Sequence, residues 1–400
     1  MNRWKEKRLE EIIYVNPSVK LIKGKLYPFI DIDKVSSTRR TVTNEEEKIY
    51  EGQSSSKFCD GDTVFSRITP CLENRKIAKV SIDGDAAFGS TEFYVFRAKE
   101  RKADASFIYY LTSSDVVVLP AINSMTGASG RQRADKRFIQ RLKLNLPDLQ
   151  TQERIADILS NYDDLIEANN HRIEILEQVA QELYKEWFVR FRFPGHEKVK
   201  FENGLPEGWK RDKIQIYYNT CSGGTPSRSK PEYFENGLYP WVKTGEIKDC
   251  VIIDTEEHIT QEAVYNSSAK ILPAKSVVMA MYGVNIGLLA YFDGEMTCNQ
   301  ACCVFSDKRN FSSKHYLYHY LKSIREYLLL ISFGAAQQNL SQDLIRKIKI
   351  TMPTDDIVML FEKKIDEIYD NIRILLIKNK NLIAQRDLLL PRLMSGKLEV

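Results

Sequence analysis

Cys298, Cys302, His315 and His319 follow one another with three, twelve and three residues between them, the spacing of a two-cysteine, two-histidine zinc site. Such a site needs its own ββα unit. Here the cysteines fall in an apolar run, Thr297–Phe305, that matches Phe88–Phe96 earlier in the chain, where no ligand residues stand. Buried structural cysteine fits that context better, so no metal is expected. A second set, Pro353-Thr354-Asp355 followed by Glu362-x-Lys364, has the residue types of a nuclease that holds Mg²⁺ and activates water. Glu362 and Lys364 flank Phe361 and Ile365 on a helical repeat, where charge ordinarily forms a solvated face. No phosphate-binding Gly-x4-Gly-Lys-Ser/Thr loop, dinucleotide fingerprint or Gly-x-Ser-x-Gly turn is present, which argues against catalysis by this chain. A metal-dependent nuclease acting alone stays open as an alternative.

Basic clusters carry a different chemistry. The stretch 124–143 holds Arg131, Arg133, Lys136, Arg137, Arg141 and Lys143 against Asp135 alone. It opens with Thr126-Gly127-Ala128-Ser129-Gly130, where glycine lets backbone approach a phosphate. Arg39, Arg40, Arg67, Arg75 and Lys76 add cations in the same half. The other half offers Thr225, Ser227, Arg228 and Lys230 after Gly223-Gly224, then Lys243 and the amide run Gln337-Gln338-Asn339. Arginine reads guanine and Asn or Gln reads adenine in the major groove, while lysine and hydroxyls suit phosphates. Whole-chain charge says little, because 58 Lys+Arg against 54 Asp+Glu leaves only +4.

These clusters need elements to hold them. Four hundred residues, 43% hydrophobic and 28% charged, suit a folded chain of two or three domains. No apolar run is long enough to span a membrane. The N-terminal residues are not followed by a secretory h-region. Seven irregularly spaced cysteines suit reduced thiols in a cytoplasm. An internal repeat of about 210 residues organises the rest. Tyr27-Pro28-Phe29-Ile30 returns as Tyr239-Pro240-Trp241-Val242, and Ile108-Tyr109-Tyr110-Leu111 as Tyr318-His319-Tyr320-Leu321. Gly61-Asp62-Thr63-Val64-Phe65 answers to Ala274-Lys275-Ser276-Val277-Val278, and Phe138-Ile139 through Pro147 to Leu344-Ile345 through Pro353.

After each proline comes a seven-residue apolar repeat. The first seam runs Ile155, Leu159, Tyr162, Ile166, Asn169, Ile173, Leu176, Ala180, Leu183, Trp187; the second runs Phe361, Ile365, Ile368, Ile372, Leu375, Asn379, Leu382, Arg386, Leu389. Asn169 and Asn379 are of the kind that fixes register. Two matched seams in one chain predict a mixed α/β (α+β) protein. Two similar globular domains are joined by two long helices in an antiparallel intramolecular coiled coil, a pseudo-twofold dumbbell. Helices packed on their own domains, or in a homodimer, are the other reading. A coiled-coil scaffold without a DNA role is the rival function.

The order of features resembles the specificity subunits of type I restriction-modification systems. Leu146-Pro147 with Gln152-x-x-Ile155-Ala156-x-x-Leu159 is similar to the family's entry to its central helix, and Leu183-Tyr184-x-x-Trp187-Phe188 to the exit. Gly204-Leu205-Pro206-Glu207-Gly208-Trp209 and Gly223-Gly224-Thr225-Pro226 resemble the start of the second recognition domain; 388–397 resembles the C-terminal signature. Thr354-Asp355-Asp356-Ile357 lacks the glutamine of a helix entry, and the first half lacks the Gly-Gly-Thr-Pro loop. The resemblance implies target recognition domains at 1–147 and, with a linker, 194–353, and conserved helices at 148–193 and 354–400. It implies a non-catalytic chain that reads a split double-stranded DNA site, the helices setting the gap. Catalysis falls to partners: two methyltransferase subunits using S-adenosylmethionine, and restriction subunits using ATP and Mg²⁺. Trp187, Phe188, Leu393 and Met394 are expected to meet the methyltransferases, with simple core packing as the rival reading of these large apolar residues. No cofactor or membrane is expected for this chain, and its place is the cytoplasm.

Overall fold

A computed structural model describes residues 4–44, 46–332 and 339–400. The chain divides into two units, Met1–Ala168 with Asn379–Val400, and Asn169–Lys378.

In the first unit the apolar runs Thr63–Ser66 and Phe93–Ala98 lie in the middle of a five-stranded sheet, where burial on both faces explains their lack of alternation. The strand order is Ile13–Val15, Phe93–Ala98, Thr63–Ser66, Ile77–Ser81, Thr41–Thr43, antiparallel except for the last pair. A second sheet joins Glu46–Ile49, Leu26–Ile30, Ala87–Gly89 and Ser56–Phe58. Helices Ala105–Ser113 and Asp115–Asn123 follow. The Asp104 carboxylate caps the first of them by accepting from Phe107 N. Among the described residues no single helix is long and apolar enough to cross a membrane.

The second unit repeats the five-stranded sheet strand for strand, while its second sheet has three strands among the described residues where the first unit's has four. Tyr218–Ser222, Cys302–Asp307, Val277–Ala280, Leu289–Phe292 and Cys250–Ile252 form its five-stranded sheet, and again only the last pair is parallel. Tyr239–Val242 runs parallel to Thr297–Cys298, as Leu26–Ile30 runs parallel to Ala87–Gly89. A pair of strands closes each unit: Lys5–Arg8 with Lys143–Leu146, and Lys210–Lys213 with Lys349–Met352.

One segment of the expected repeat is out by a residue. Gly61 and Lys275 both have left-handed backbone, φ 77° and 64°, and the next residue's carbonyl accepts from Val80 N and Phe292 N respectively. Asp62 therefore matches Ser276, and Val64 matches Val278 rather than Val277. The turn geometry sets the match, and a lysine gives no outward sign of a positive φ.

The long helices are Leu149–Tyr184, continued by a π-helical turn Lys185–Val189, and Asp355–Met394. In the first unit Ile155 and Leu159 share a core with Leu389, Leu393 and Met394. In the second, Ile173, Leu176, Ala180, Leu183 and Tyr184 share one with Phe361, Ile365, Ile368 and Ile372. Each unit thus packs one helix against the other in antiparallel sense. Ile155, Leu159, Ile166, Asn169, Phe361, Ile365, Ile372 and Asn379 are buried, and Leu375, Leu382 and Leu389 half-buried. Three positions depart from the expected seam. Tyr162 is half-buried while Asp163 is buried, Leu183 yields the inner place to Tyr184, and Ile368 yields it to Tyr369. A 3.6-residue helix drifts about 20° per heptad against a seven-residue repeat, which walks the buried face along by a residue.

Candidate nucleic-acid interface

Residues 126–133 form a closed loop, because Thr126 and Arg133 exchange both backbone hydrogen bonds, at 3.1 and 2.9 Å. Thr69 N donates to Gln132 O and Gln132 N to Thr69 Oγ1, both at 3.0 Å, so the loop is stitched to 67–69. Arg131 is exposed, and its side chain has no ion-pair or hydrogen-bond partner among the described residues. Arg133 sets its Nε 2.9 Å and its Nη2 2.6 Å from the Glu92 carboxylate. Arg67 reaches the same carboxylate with Nε at 3.2 Å and lies over the Tyr94 ring. The two guanidinium groups hold the Glu92 carboxyl below the usual carboxylate range. Beside Arg67 opens a cleft of about 410 Å³ whose wall includes Lys57, Thr91 and the hydroxyls of Ser54, Ser55 and Ser56.

The other first-half cations have structural duties. Arg40 is turned inward, only 14% of its side chain exposed, and pairs with Asp164 on the first long helix. Arg75 donates to Ser113 O at 3.1 Å and pairs with Asp115, while Lys76 Nζ donates to Ile32 O at 3.0 Å. Arg40 and Arg75 brace loops against helices, and Lys76 ties its loop to the turn at Ile32. Arg39 is exposed.

In the second unit a Cβ on Gly223 would lie 1.9 Å from the Cys298 carbonyl oxygen, and one on Gly224 2.3 Å from the Ser268 carbonyl carbon. The two glycines let the loop lie flat on the sheet, and exposure begins at Thr225, which donates to Gln300 Oε1. Ser227 Oγ lies 2.8 Å from Ser229 Oγ, and Lys230 Nζ donates to Tyr233 OH at 2.9 Å. Arg228 stacks 4.4 Å from the Phe234 centroid and 5.0 Å from Trp241, while its Nη1 donates to Glu257 at 2.6 Å. Lys243 Nζ joins Glu257 at 3.0 Å and Glu256 at 2.9 Å. Asn339 is half-buried; Gln337 and Gln338 lie outside the described residues. Sequence reasoning missed Glu92 and Glu257. Each gathers two cations from distant segments, and nothing local in the sequence marks such a carboxylate.

The metal-like spacings dissolve in three dimensions. Cys298 and Cys302 belong to one buried cluster, and Cys302 Sγ lies 3.1 Å from Asn299 Oδ1. His319 is spent on Gln181 Oε1 and Tyr369 OH, at 3.0 and 3.1 Å, and His315 Nε2 on Asp366 at 3.1 Å. The nuclease set also separates, since Asp355 and Lys364 are exposed but Glu362 is buried. Glu362 was expected on a solvated face. Instead its Oε1 accepts from Tyr316 N at 2.9 Å, and burial pushes its carboxyl up to about 8. Residues i and i+2 of a helix do not share a face, so Glu362 and Lys364 part. Among the described residues, His315, Glu362 and Asp366 are the one set whose ligand atoms come within 4.8 Å of one another. Lys314 Nζ, 2.5 Å from Asp366 and 4.0 Å from Glu362, supplies a cation there itself.

The expected docking residues also need correction. Phe188 lies 4.8 Å from the Phe361 ring and 4.7 Å from Tyr316, and Trp187 5.8 Å from Phe361. Leu393 and Met394 sit in the first unit's core. All four are buried and present nothing to a partner. The exposed apolar positions of the long helices are others: Leu165, Ile383 and Leu388 in the first unit, Ile175, Val179, Met359, Leu360, Ile374 and Ile377 in the second.

A family model described as the type I restriction modification DNA specificity domain matches residues 1–178 and again 206–385. The chain is similar to the type I restriction enzyme HindI specificity subunit of Haemophilus influenzae, 27% identical, covering 87% of this chain and 88% of that one. It is similar also to the MjaIX specificity subunit of Methanocaldococcus jannaschii, 25% identical over 74% of this chain and 69% of that one. In fold it resembles the type I restriction-modification S subunit from M. genitalium, at 13% identity and a TM-score of 0.51 over 96% of each chain.

Proposed function

The chain belongs to the type I restriction modification DNA specificity family, and from that premise we propose how its two units divide the work. It is a specificity subunit, a non-catalytic DNA-recognition component of a restriction-modification enzyme. Each unit reads one half of a split, asymmetric double-stranded site. The observation that carries this is the same strand order built twice in one chain, with different polar side chains at matching loops. Different loops on equal scaffolds read different half-sites. The long helices, about 50–60 Å each at about 1.5 Å per residue, set the number of base pairs between the halves. Their exposed apolar positions, such as Ile175, Val179, Ile374 and Ile377, receive helices of two methyltransferase subunits. Restriction subunits join the assembly through those partners. Methyl transfer from S-adenosylmethionine, and ATP- and Mg²⁺-dependent cleavage, reside in the partners, and the assembly works on DNA in the cytoplasm.

The test is made in cells. The chain is co-expressed with its methyltransferase subunit, and adenine methylation is mapped by long-read sequencing with and without it. A split motif that depends on the chain is expected; a stable complex that methylates without sequence preference would overturn the reading.

A further inference from the structure

Backbone hydrogen bonds identify three matching places in the two units. Arg67 N donates to Glu92 O at 2.9 Å, and Arg67 O accepts from Ala134 N, the residue after Arg133, at 2.8 Å. Met281 N donates to Ala301 O at 2.9 Å, and Met281 O accepts from Leu340 N, the residue after Asn339, at 3.0 Å. The strand pairing agrees, with Phe93 opposite Ser66 and Cys302 opposite Ala280. Arg67, Glu92 and Arg133 of the first unit therefore stand where Met281, Ala301 and Asn339 stand in the second. One scaffold carries an arginine–carboxylate–arginine set in one copy and an apolar pair with an amide in the other.

The geometry of the charged set is that of a held reader. All three contacts from Arg133 to Glu92 use the Nε–Nη2 edge of the guanidinium, with Nε at 2.9 and 3.2 Å from the two carboxylate oxygens and Nη2 at 2.6 Å from one of them. An arginine has five N–H donors in a flat fork. With that edge engaged, the Nη1–Nη2 end keeps two parallel donors, which match O6 and N7 of guanine. Arg133 stays 46% exposed while Glu92 is 20% exposed, so the carboxylate lies beneath and the fork faces outward. The reciprocal bonds to Thr126 hold its backbone, and the second arginine on Glu92 fixes the carboxylate in turn. Holding a long side chain in its bound geometry lowers the ordering cost of recognition.

We propose that Arg133 reads a guanine in the major groove of the first unit's half-site, with Glu92 as the positioning residue that aims it. Asn339, at the matching place, reads an adenine in the other half-site, since a side-chain amide pairs with adenine N6 and N7. Three paired positions thereby supply part of the asymmetry of the site. The inference rests on the reading of each unit as a half-site reader.

The same methylation mapping tests it, with the full chain and its methyltransferase subunit. The wild-type motif is expected to hold a required guanine in one half-site and a required adenine in the other. Arg133→Asn moves the guanine position towards adenine and leaves every position of the other half-site as it was. Glu92→Gln keeps the side chain's shape, and it relaxes discrimination at that same position by about tenfold to a hundredfold, the worth of one bidentate base contact. Asn339→Arg installs a guanine preference in the second half-site. A merely structural ion pair would change thermal stability or yield without changing which base is required. An Arg133→Asn complex that methylates the unchanged motif overturns the proposal, as does an unchanged motif with Glu92→Gln. Should the asparagine variant fail to assemble, the glutamine variant decides. If the wild-type complex gave no split motif, the half-site reading would fall, and that result is distinct from a failure of Arg133.

Discussion

Asp163 in the first unit and Tyr369 in the second occupy the same place, eight residues beyond Ile155 and Phe361, yet they secure their helices by different chemistry. Asp163 is buried and takes hydrogen bonds from Tyr110 OH and Arg386 Nη1, both at 2.5 Å. Arg40 on Asp164 and Thr41 on Glu167 extend the polar seam. Tyr369 instead stacks on His315 at 4.1 Å between centroids and meets His319 Nε2 through its hydroxyl. The contrast recurs at the helix entry. Gln152 accepts from Asp104 N and donates to Pro147 O, while Val358, in the corresponding place, is wholly buried and apolar. A duplicated fold thus keeps its strand order and burial pattern but not its polar fixings. The backbone plan needs only apolar surface in the right places, and many polar sets can satisfy what is left over.

The sharpest way to break the comparison is exchange. Replacing residues 200–353 with the same region of another specificity subunit is expected to replace one half-site entirely and leave the other intact, read from the methylation motif. If both half-sites change together, the units are not independent readers, and the matched topology has no functional counterpart.

The next largest effect separates the two fixings. Arg386→Ala leaves Asp163 buried with Tyr110 as its remaining partner, and removing one member of a buried pair costs about 3 kcal/mol. Denaturant unfolding of the full chain should show the loss in the first unit's transition alone. In a Trp4→Phe background tryptophan fluorescence follows the other unit, because Trp4 is the first unit's one tryptophan and Trp187, Trp209 and Trp241 all lie in the second. A shift of equal size in that signal would mean the two seams unfold as one.

Much of this was legible in the residues. Strands buried on both faces write themselves as apolar runs, so Phe88–Phe96 and Thr297–Phe305 could be matched by eye. Each seam showed its period for the same reason. What stayed hidden depends on conformation or on contacts through space. A lysine in left-handed backbone looks like any lysine, and that misplaced the Gly61 match by one residue. Helical drift decided between Tyr162 and Asp163. Among the cations, composition gave the clusters but not their partners, because Glu92 reaches Arg67 and Arg133 from 25 and 41 residues away. The basic surface was therefore readable, whereas the division between bracing arginines such as Arg40 and outward ones such as Arg131 was not.

The smallest effect is a slope with pH, and it belongs to the second unit, since all five histidines of the chain lie between residues 171 and 319. Burial holds His315 down to about 4 and His319 well below its ordinary value. Both are neutral in the fold and take protons when unfolded, so the second unit loses stability as pH falls from about 6.5 towards 4. Glu362 works in the opposite sense. Its carboxyl is raised to about 8, so the stability it contributes is complete below about pH 4.5 and is lost as pH rises through 8. Above pH 6.5 the histidines no longer change, which leaves a decline of about 1.4 kcal/mol per pH unit from this one group. Glu362→Gln should flatten that decline between pH 6.5 and 8 in the tryptophan-detected transition, while the acid limb stays. If the slope survives the substitution, the carboxylate is already ionised beside Lys314, and the second unit, like the first, is fastened by buried charge.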